Sequence, residues 1–80
     1  MNKLLAFTAS WCGPCKAMKP MLQEFDPTSV IIYDVDQHKE LAKSYGVSAV
    51  PTFVVLDSNG KEIDRLIGSQ PKSKFESYLG

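Results

Sequence analysis

The sequence predicts a small α/β fold: a four-stranded mixed sheet with helices on both faces, in the order βαβα then ββα. Three observations carry that expectation. Leu4–Phe7 is a continuous apolar run, followed at once by a closely spaced cysteine pair and a helical pattern. Val30–Val35, rich in β-branched residues, comes after that helix. Two further apolar runs flank Asn59-Gly60, a strong hairpin turn signal. Strands joined through a helix should be parallel with a right-handed crossover, and strands joined by a tight turn antiparallel.

Each element has a local reason. Lys3–Thr8 reads as a strand covered on both faces, because Leu4, Leu5, Ala6 and Phe7 are apolar without alternation. Cys12–Phe25 reads as a helix with Ala17, Met18, Met21, Leu22 and Phe25 along one side. Pro20 falls inside it and should bend the axis by removing a backbone hydrogen bond. Asp26-Pro27 should end it, since residues before proline avoid the helical region. Val30–Val35 is the second strand. Asp36 is a good N-cap for a short helix over Gln37–Tyr45, and Gly46 a good terminator. Thr52–Leu56 and Glu62–Ile67 are the hairpin strands, joined by Asp57-Ser58-Asn59-Gly60. Gly68 ends the last strand, and Ser69-Gln70-Pro71 opens a final helix with Phe75, Tyr78 and Leu79 inward.

Eighty residues suit a single domain spanning 1–80. A chain of this size buries only about 60% of its unfolded surface, so its stability margin is thin. The formal net charge is zero, which gives no electrostatic case for nucleic acid or an anionic membrane. No apolar run is long enough to span a bilayer. The N-terminal apolar stretch runs straight into Thr8 and the cysteines, as a strand does and a signal peptide does not. A reducing, cytoplasmic setting and a monomer are therefore expected.

The chemistry concentrates in Trp11-Cys12-Gly13-Pro14-Cys15, which holds both cysteines of the chain. A dithiol between a strand and a helix suits thiol–disulfide exchange. The helix N-terminus stabilises negative charge, and the thiolate is the reactive form of cysteine. Gly13 keeps bulk away from the sulfurs, Pro14 sits in the first turn where a missing N–H costs little, and Trp11 adds a flat apolar surface. A purely structural disulfide is a poor reading, because so short a loop gains little closure entropy. A zinc site is another poor one: it needs four ligands, and His38 is the one other soft ligand present. Asp34 and Asp36 read as a solvated strand end and a helix cap rather than a cation pair. His38 reads as a surface residue, and Met18 and Met21 as core filling.

Trp11-Cys12-Gly13-Pro14-Cys15-Lys16 with Pro20, and Tyr45-Gly46-Val47-Ser48-Ala49-Val50-Pro51-Thr52, resemble the thioredoxin family. Asn59-Gly60 and Gly68 fall where that family has a hairpin turn and a glycine beside the active site. The resemblance covers essentially the whole chain and implies the minimal thioredoxin fold, with strand order 2-1-3-4 and three flanking helices. It lacks the N-terminal strand and helix of ordinary thioredoxins, which gives it glutaredoxin-like size.

By the same resemblance, Cys12 would be the exposed nucleophile and Cys15 the buried resolving thiol of a protein-disulfide reductase. Pro51 would be a cis-proline, and the backbone of Val50 would pair with an extended substrate segment. Trp11, Gly13, Pro14, Ala49, Val50, Pro51 and Gly68 would line the substrate groove, and Asp36 would hydrogen-bond the Trp11 indole. No cofactor or metal is implied beyond the redox-active disulfide. The implied partners are disulfide-containing proteins and a thioredoxin-reductase-like electron donor. Glutathione is the alternative donor, and a binding subunit of another enzyme the alternative function.

One departure from the family stands out. Thioredoxins carry a buried aspartate six residues before the first cysteine, where this chain has Ala6. A lysine near that aspartate in many of them is replaced, counting back from Asp36, by Ile32. Losing both members of a buried charge pair is physically coherent, because losing one alone is costly.

Overall fold

The computed structural model describes residues 1–79 of the chain. It has β1 (Lys3–Thr8), α1 (Gly13–Leu22), β2 (Val30–Asp34), α2 (Lys39–Ser44), β3 (Thr52–Leu56), β4 (Glu62–Ile67) and α3 (Lys72–Leu79). The sheet order is β2-β1-β3-β4. The β1–β2 pair is parallel, while β1–β3 and β3–β4 are antiparallel. The expected fold class and strand order are therefore found.

Apolar runs without alternation mean that both faces of the central strands are covered. Leu4 and Ala6 of β1 pack with Phe53 and Val55 of β3 against Met18, Leu22 and Phe75, on the face holding α1 and α3. Leu5, Phe7, Val54 and Leu56 pack with Ala42 on the other face, beside α2. Phe75 is fully buried, with its ring 4.8 Å from that of Phe53. Burying such a side chain contributes about 2–3 kcal/mol, which is how the short α3 is held to the sheet. On the opposite face Phe7 stacks on Tyr33 at 5.5 Å.

Four local expectations are corrected. α1 ends at Leu22 rather than Phe25, although it does continue through Pro20. Past Gln23 the ladder tightens to bonds three residues back, from the Glu24 N–H to the Met21 carbonyl at 3.1 Å and from the Phe25 N–H to the Leu22 carbonyl at 3.3 Å; the Asp26 carboxylate then accepts the Thr28 N–H at 2.8 Å and hydroxyl at 2.7 Å in the turn toward β2. Those bonds, the backbone one first, hold the Asp26 carboxyl below its ordinary range. Ala17, expected inward, is exposed.

The short helix also starts later than expected, at Lys39, with His38 rather than Asp36 as its N-cap. Here Asp34 prevails. Its side chain accepts the Asp36 N–H at 2.8 Å, and its carbonyl accepts the N–H groups of Gln37 and His38 at 3.1 and 2.9 Å. A side-chain-capped turn thus competes with helix at this point. β2 accordingly stops at Asp34, though the Val35 N–H still reaches the Thr8 carbonyl at 2.8 Å.

The hairpin contains a register shift between Val55 and Leu56: Val55 pairs with Asp64, but Leu56 pairs with Glu62. Ile63 is the extra residue of this bulge, and its insertion turns Glu62 and Arg65 to the same side of β4. There they form a two-pronged ion pair, with Arg65 Nε to Glu62 Oε2 at 2.9 Å and Nη2 to Oε1 at 3.0 Å. The hydrogen bonds from Arg65 hold the Glu62 carboxyl below its ordinary range. A depressed folded-state value means the contribution is complete at neutral pH and fades as pH falls through it. Water screens the pair, so Arg65→Met should cost less than about 1 kcal/mol at pH 7 and nothing measurable at pH 3. Urea unfolding at the two pH values checks this.

Candidate active site

The parallel strands β1 and β2 end at the same edge of the sheet, with Thr8 opposite Asp34. The chain leaves β1 through a tight turn in which the Cys12 N–H donates to the Ala9 carbonyl at 3.1 Å. Cys12 is the N-cap of α1, with extended backbone at φ −91° and ψ 112°. Pro14 lies in the first turn, where it removes no helical hydrogen bond. Cys12 and Cys15 are joined by a disulfide, with Cα atoms 5.3 Å apart. The Cys15 N–H donates to Cys12 Sγ at 3.2 Å. One orphan donor of the helix N-terminus is therefore aimed at the first sulfur.

The expected exposure of Cys12 is not found. In the disulfide form it is 6% exposed and Cys15 3%, because both pack with Ala9 against Val35 and Val50. Trp11 beside them is 67% exposed, and its indole N–H donates to Asp36 Oδ2 at 3.0 Å. The Val50–Pro51 peptide bond is cis. Thr52 Oγ1 donates to the Ala49 carbonyl at 2.6 Å, and the Gly68 N–H to the Pro51 carbonyl at 2.9 Å. Gly68 has φ +89°, a conformation that L side chains rarely adopt.

A shallow groove of about 130 Å³ runs beside the disulfide, lined by Trp11, Val35, Val47, Ser48, Ala49 and Val50. Of the residues expected there, Trp11, Ala49 and Val50 line it. Gly13 and Pro14 are exposed at the start of α1. Pro51 is buried behind the groove, and Gly68 is bonded to it. Val35, Val47 and Ser48 were not anticipated. Chain proximity to Ala49 would have found the last two, whereas Val35 needed the parallel register.

A second, larger cleft of about 580 Å³ opens between α1 and the end of β2, and Cys15 forms part of its wall. Ala6 is fully buried and stands directly opposite Ile32 in the β1–β2 ladder. Both pack into the α1 face of the core. Among the described residues, no cluster of three or more His, Cys, Asp or Glu side chains is arranged for a metal ion. No helix among them is long and apolar enough to cross a membrane.

Comparison with known proteins places this arrangement. The thioredoxin family model matches residues 1–80. A thioredoxin of Alicyclobacillus acidocaldarius subsp. acidocaldarius is 38% identical over 81 residues, covering 95% of this chain and 76% of that protein. Thioredoxin H2 of Arabidopsis thaliana is 44% identical over 84 residues, covering 98% of this chain and 62% of that protein. The crystal structure of the reduced thioredoxin pre-protein of Schistosoma mansoni superposes with a TM-score of 0.84 at 33% identity, over 98% of this chain and 75% of that one. Strand order, a disulfide capping α1 and relatives of this similarity converge: the chain belongs to the thioredoxin family and is a dithiol–disulfide oxidoreductase.

Proposed function

We propose that this chain, acting as one domain over residues 1–80 and as a monomer, reduces disulfides of protein substrates in the cytoplasm. Cys12 attacks and Cys15 resolves. The observation that carries the assignment is the Cys15 N–H donating to Cys12 Sγ at 3.2 Å, at the first turn of α1. A thiolate at that sulfur is stabilised by the donor and by the helix dipole, and Cys15, one turn inside, is not. The attack gives a mixed disulfide between Cys12 and the substrate. Cys15 then displaces the substrate thiol and closes the ring.

Trp11, Ala49 and Val50 supply an apolar surface for the substrate chain around its disulfide. Gly13, Pro14, Pro51 and Gly68 flank that surface, and Asp36 fixes the indole. The backbone of Val50 offers strand-like pairing to an extended segment. No cofactor beyond the disulfide is needed. A flavoprotein thiol reductase of the thioredoxin-reductase class returns the electrons, and neither nucleic acid nor membrane takes part.

Alkylation of the reduced protein at neutral pH should label Cys12 first, as read by peptide mass. Preferential labelling of Cys15 would reverse the two roles. The donor is decided by presenting the oxidised protein with NADPH and a thioredoxin reductase, or with glutathione. Reduction by glutathione alone would overturn the donor assignment.

A further inference from the structure

Resolution requires Cys15 to lose a proton, and the residues packed around it in the core, Ala9, Val35 and Val50, are apolar. Ala6 and Ile32 lie side by side in the β1–β2 ladder and carry no ionisable group. The open cleft is the other side of Cys15. Thr8 is part of its wall, and its volume of about 580 Å³ leaves room for water. Lys16 and Lys19 of α1, Asp34 of β2 and His38 share the lining. His38 is the one histidine of the chain. Its ring sits edge-on to Tyr33, with centroids 5.0 Å apart and planes at 74°. Its backbone N–H is tied to the Asp34 carbonyl at 2.9 Å. His38 is exposed, it lines the cleft, and among the described residues its imidazole nitrogens make no hydrogen bond.

We propose that His38 is the proton acceptor for Cys15, reached across cleft water, in the step that resolves the mixed disulfide. This deepens the disulfide-reductase reading and rests on it. The Cys15 thiol gives its proton through water to a neutral imidazole nitrogen. The Cys15 thiolate attacks Cys12 Sγ, forming the Cys12–Cys15 bond and breaking the Cys12–substrate bond. The substrate sulfur leaves as a thiolate and takes a proton from solvent, and the imidazolium returns its proton to solvent. The dithiol loses two electrons and the substrate disulfide gains them.

The other groups facing the cleft fit this step less well as acceptors. Lysine ammonium groups have no free lone pair, so Lys16 and Lys19 cannot accept the proton. The Asp34 carboxylate is engaged by the Asp36 N–H, and a carboxylate is a weak base toward a thiol. A base works best when it exchanges its proton near the working pH, which is the property of imidazole. Asp36 is taken by Trp11, and Lys39 and Glu40 flank His38 at the start of α2.

The test is stopped-flow reaction of the reduced protein with an aromatic disulfide that releases a coloured thiol. The first release reports attack by Cys12. The second, independent of reagent concentration, reports resolution by Cys15. His38→Gln should leave the first phase unchanged and slow the second about fivefold or more at pH 7. It should also change the pH profile of the second phase, and added imidazole should restore the rate. Thr8→Leu, which fills the cleft and keeps the histidine, should slow the second phase as well. A second phase in His38→Gln with wild-type rate and pH profile would overturn the proposal, as would equal slowing of both phases. Absence of the first phase in the wild type would instead overturn the disulfide-reductase reading.

Discussion

Cys12→Ser should reduce disulfide turnover by roughly a thousandfold or more, because removing a nucleophile removes the whole covalent route. Cys15→Ser should complete one attack and stop. Loss of folding is not the expected cause in either case. Cys12 is the N-cap of α1, and serine is among the better N-caps, so the helix start is retained. The loop closed by the disulfide is three residues in separation, so its loss removes little chain-entropy stabilisation. The two variants therefore separate the half-reactions. With a disulfide-bonded protein as substrate, Cys15→Ser should accumulate a covalent adduct, visible as the summed mass and released by a small thiol. Cys12→Ser should accumulate none. An adduct formed faster on Cys15 of Cys12→Ser than on Cys12 of Cys15→Ser would invert the assignment of attack and resolution.

The legible parts of this fold were those where one residue type decides the outcome locally. Leu4–Phe7 cannot alternate between core and solvent, so β1 had to be covered on both faces, and it is. Element ends were less legible, because side chains compete there with backbone bonding. α1 tightened into bonds three residues back at Glu24 and Phe25, and Asp34 took the turn that Asp36 was expected to cap. The Ile63 bulge was not legible, since β4 pairs equally well on paper with or without it.

The site shows the same division. The dithiol and Trp11–Asp36 could be placed from motif and resemblance, and the indole bond forms at 3.0 Å. The near-burial of Cys12 was missed because Val35 and Val50 cover the sulfurs from segments distant in the chain. The cleft behind Cys15 was invisible for a different reason. Its wall is assembled from the end of β1, α1, β2 and the turn before α2, which are separate in the chain.

Ala6→Asp should destabilise the protein by about 3–5 kcal/mol, the cost of an unpaired buried charge or of its neutralisation. Ala6 is fully buried against Met18, Leu22 and Phe53, with no polar group provided for it. Burial would raise the new carboxyl above its unfolded value. The folded state then binds more protons than the unfolded one, so the loss should grow as pH rises from about 4 through the raised value. Ile32→Lys should also destabilise, by less, because Ile32 is only half-buried and its ammonium can extend toward the cleft. Ala6 and Ile32 are direct partners in the parallel β1–β2 ladder and face the same core. The double variant should therefore recover about 1–3 kcal/mol relative to the sum of the single losses. Urea unfolding of the four proteins at pH 7 measures that coupling. Strictly additive losses would show that the two side chains do not act on one another.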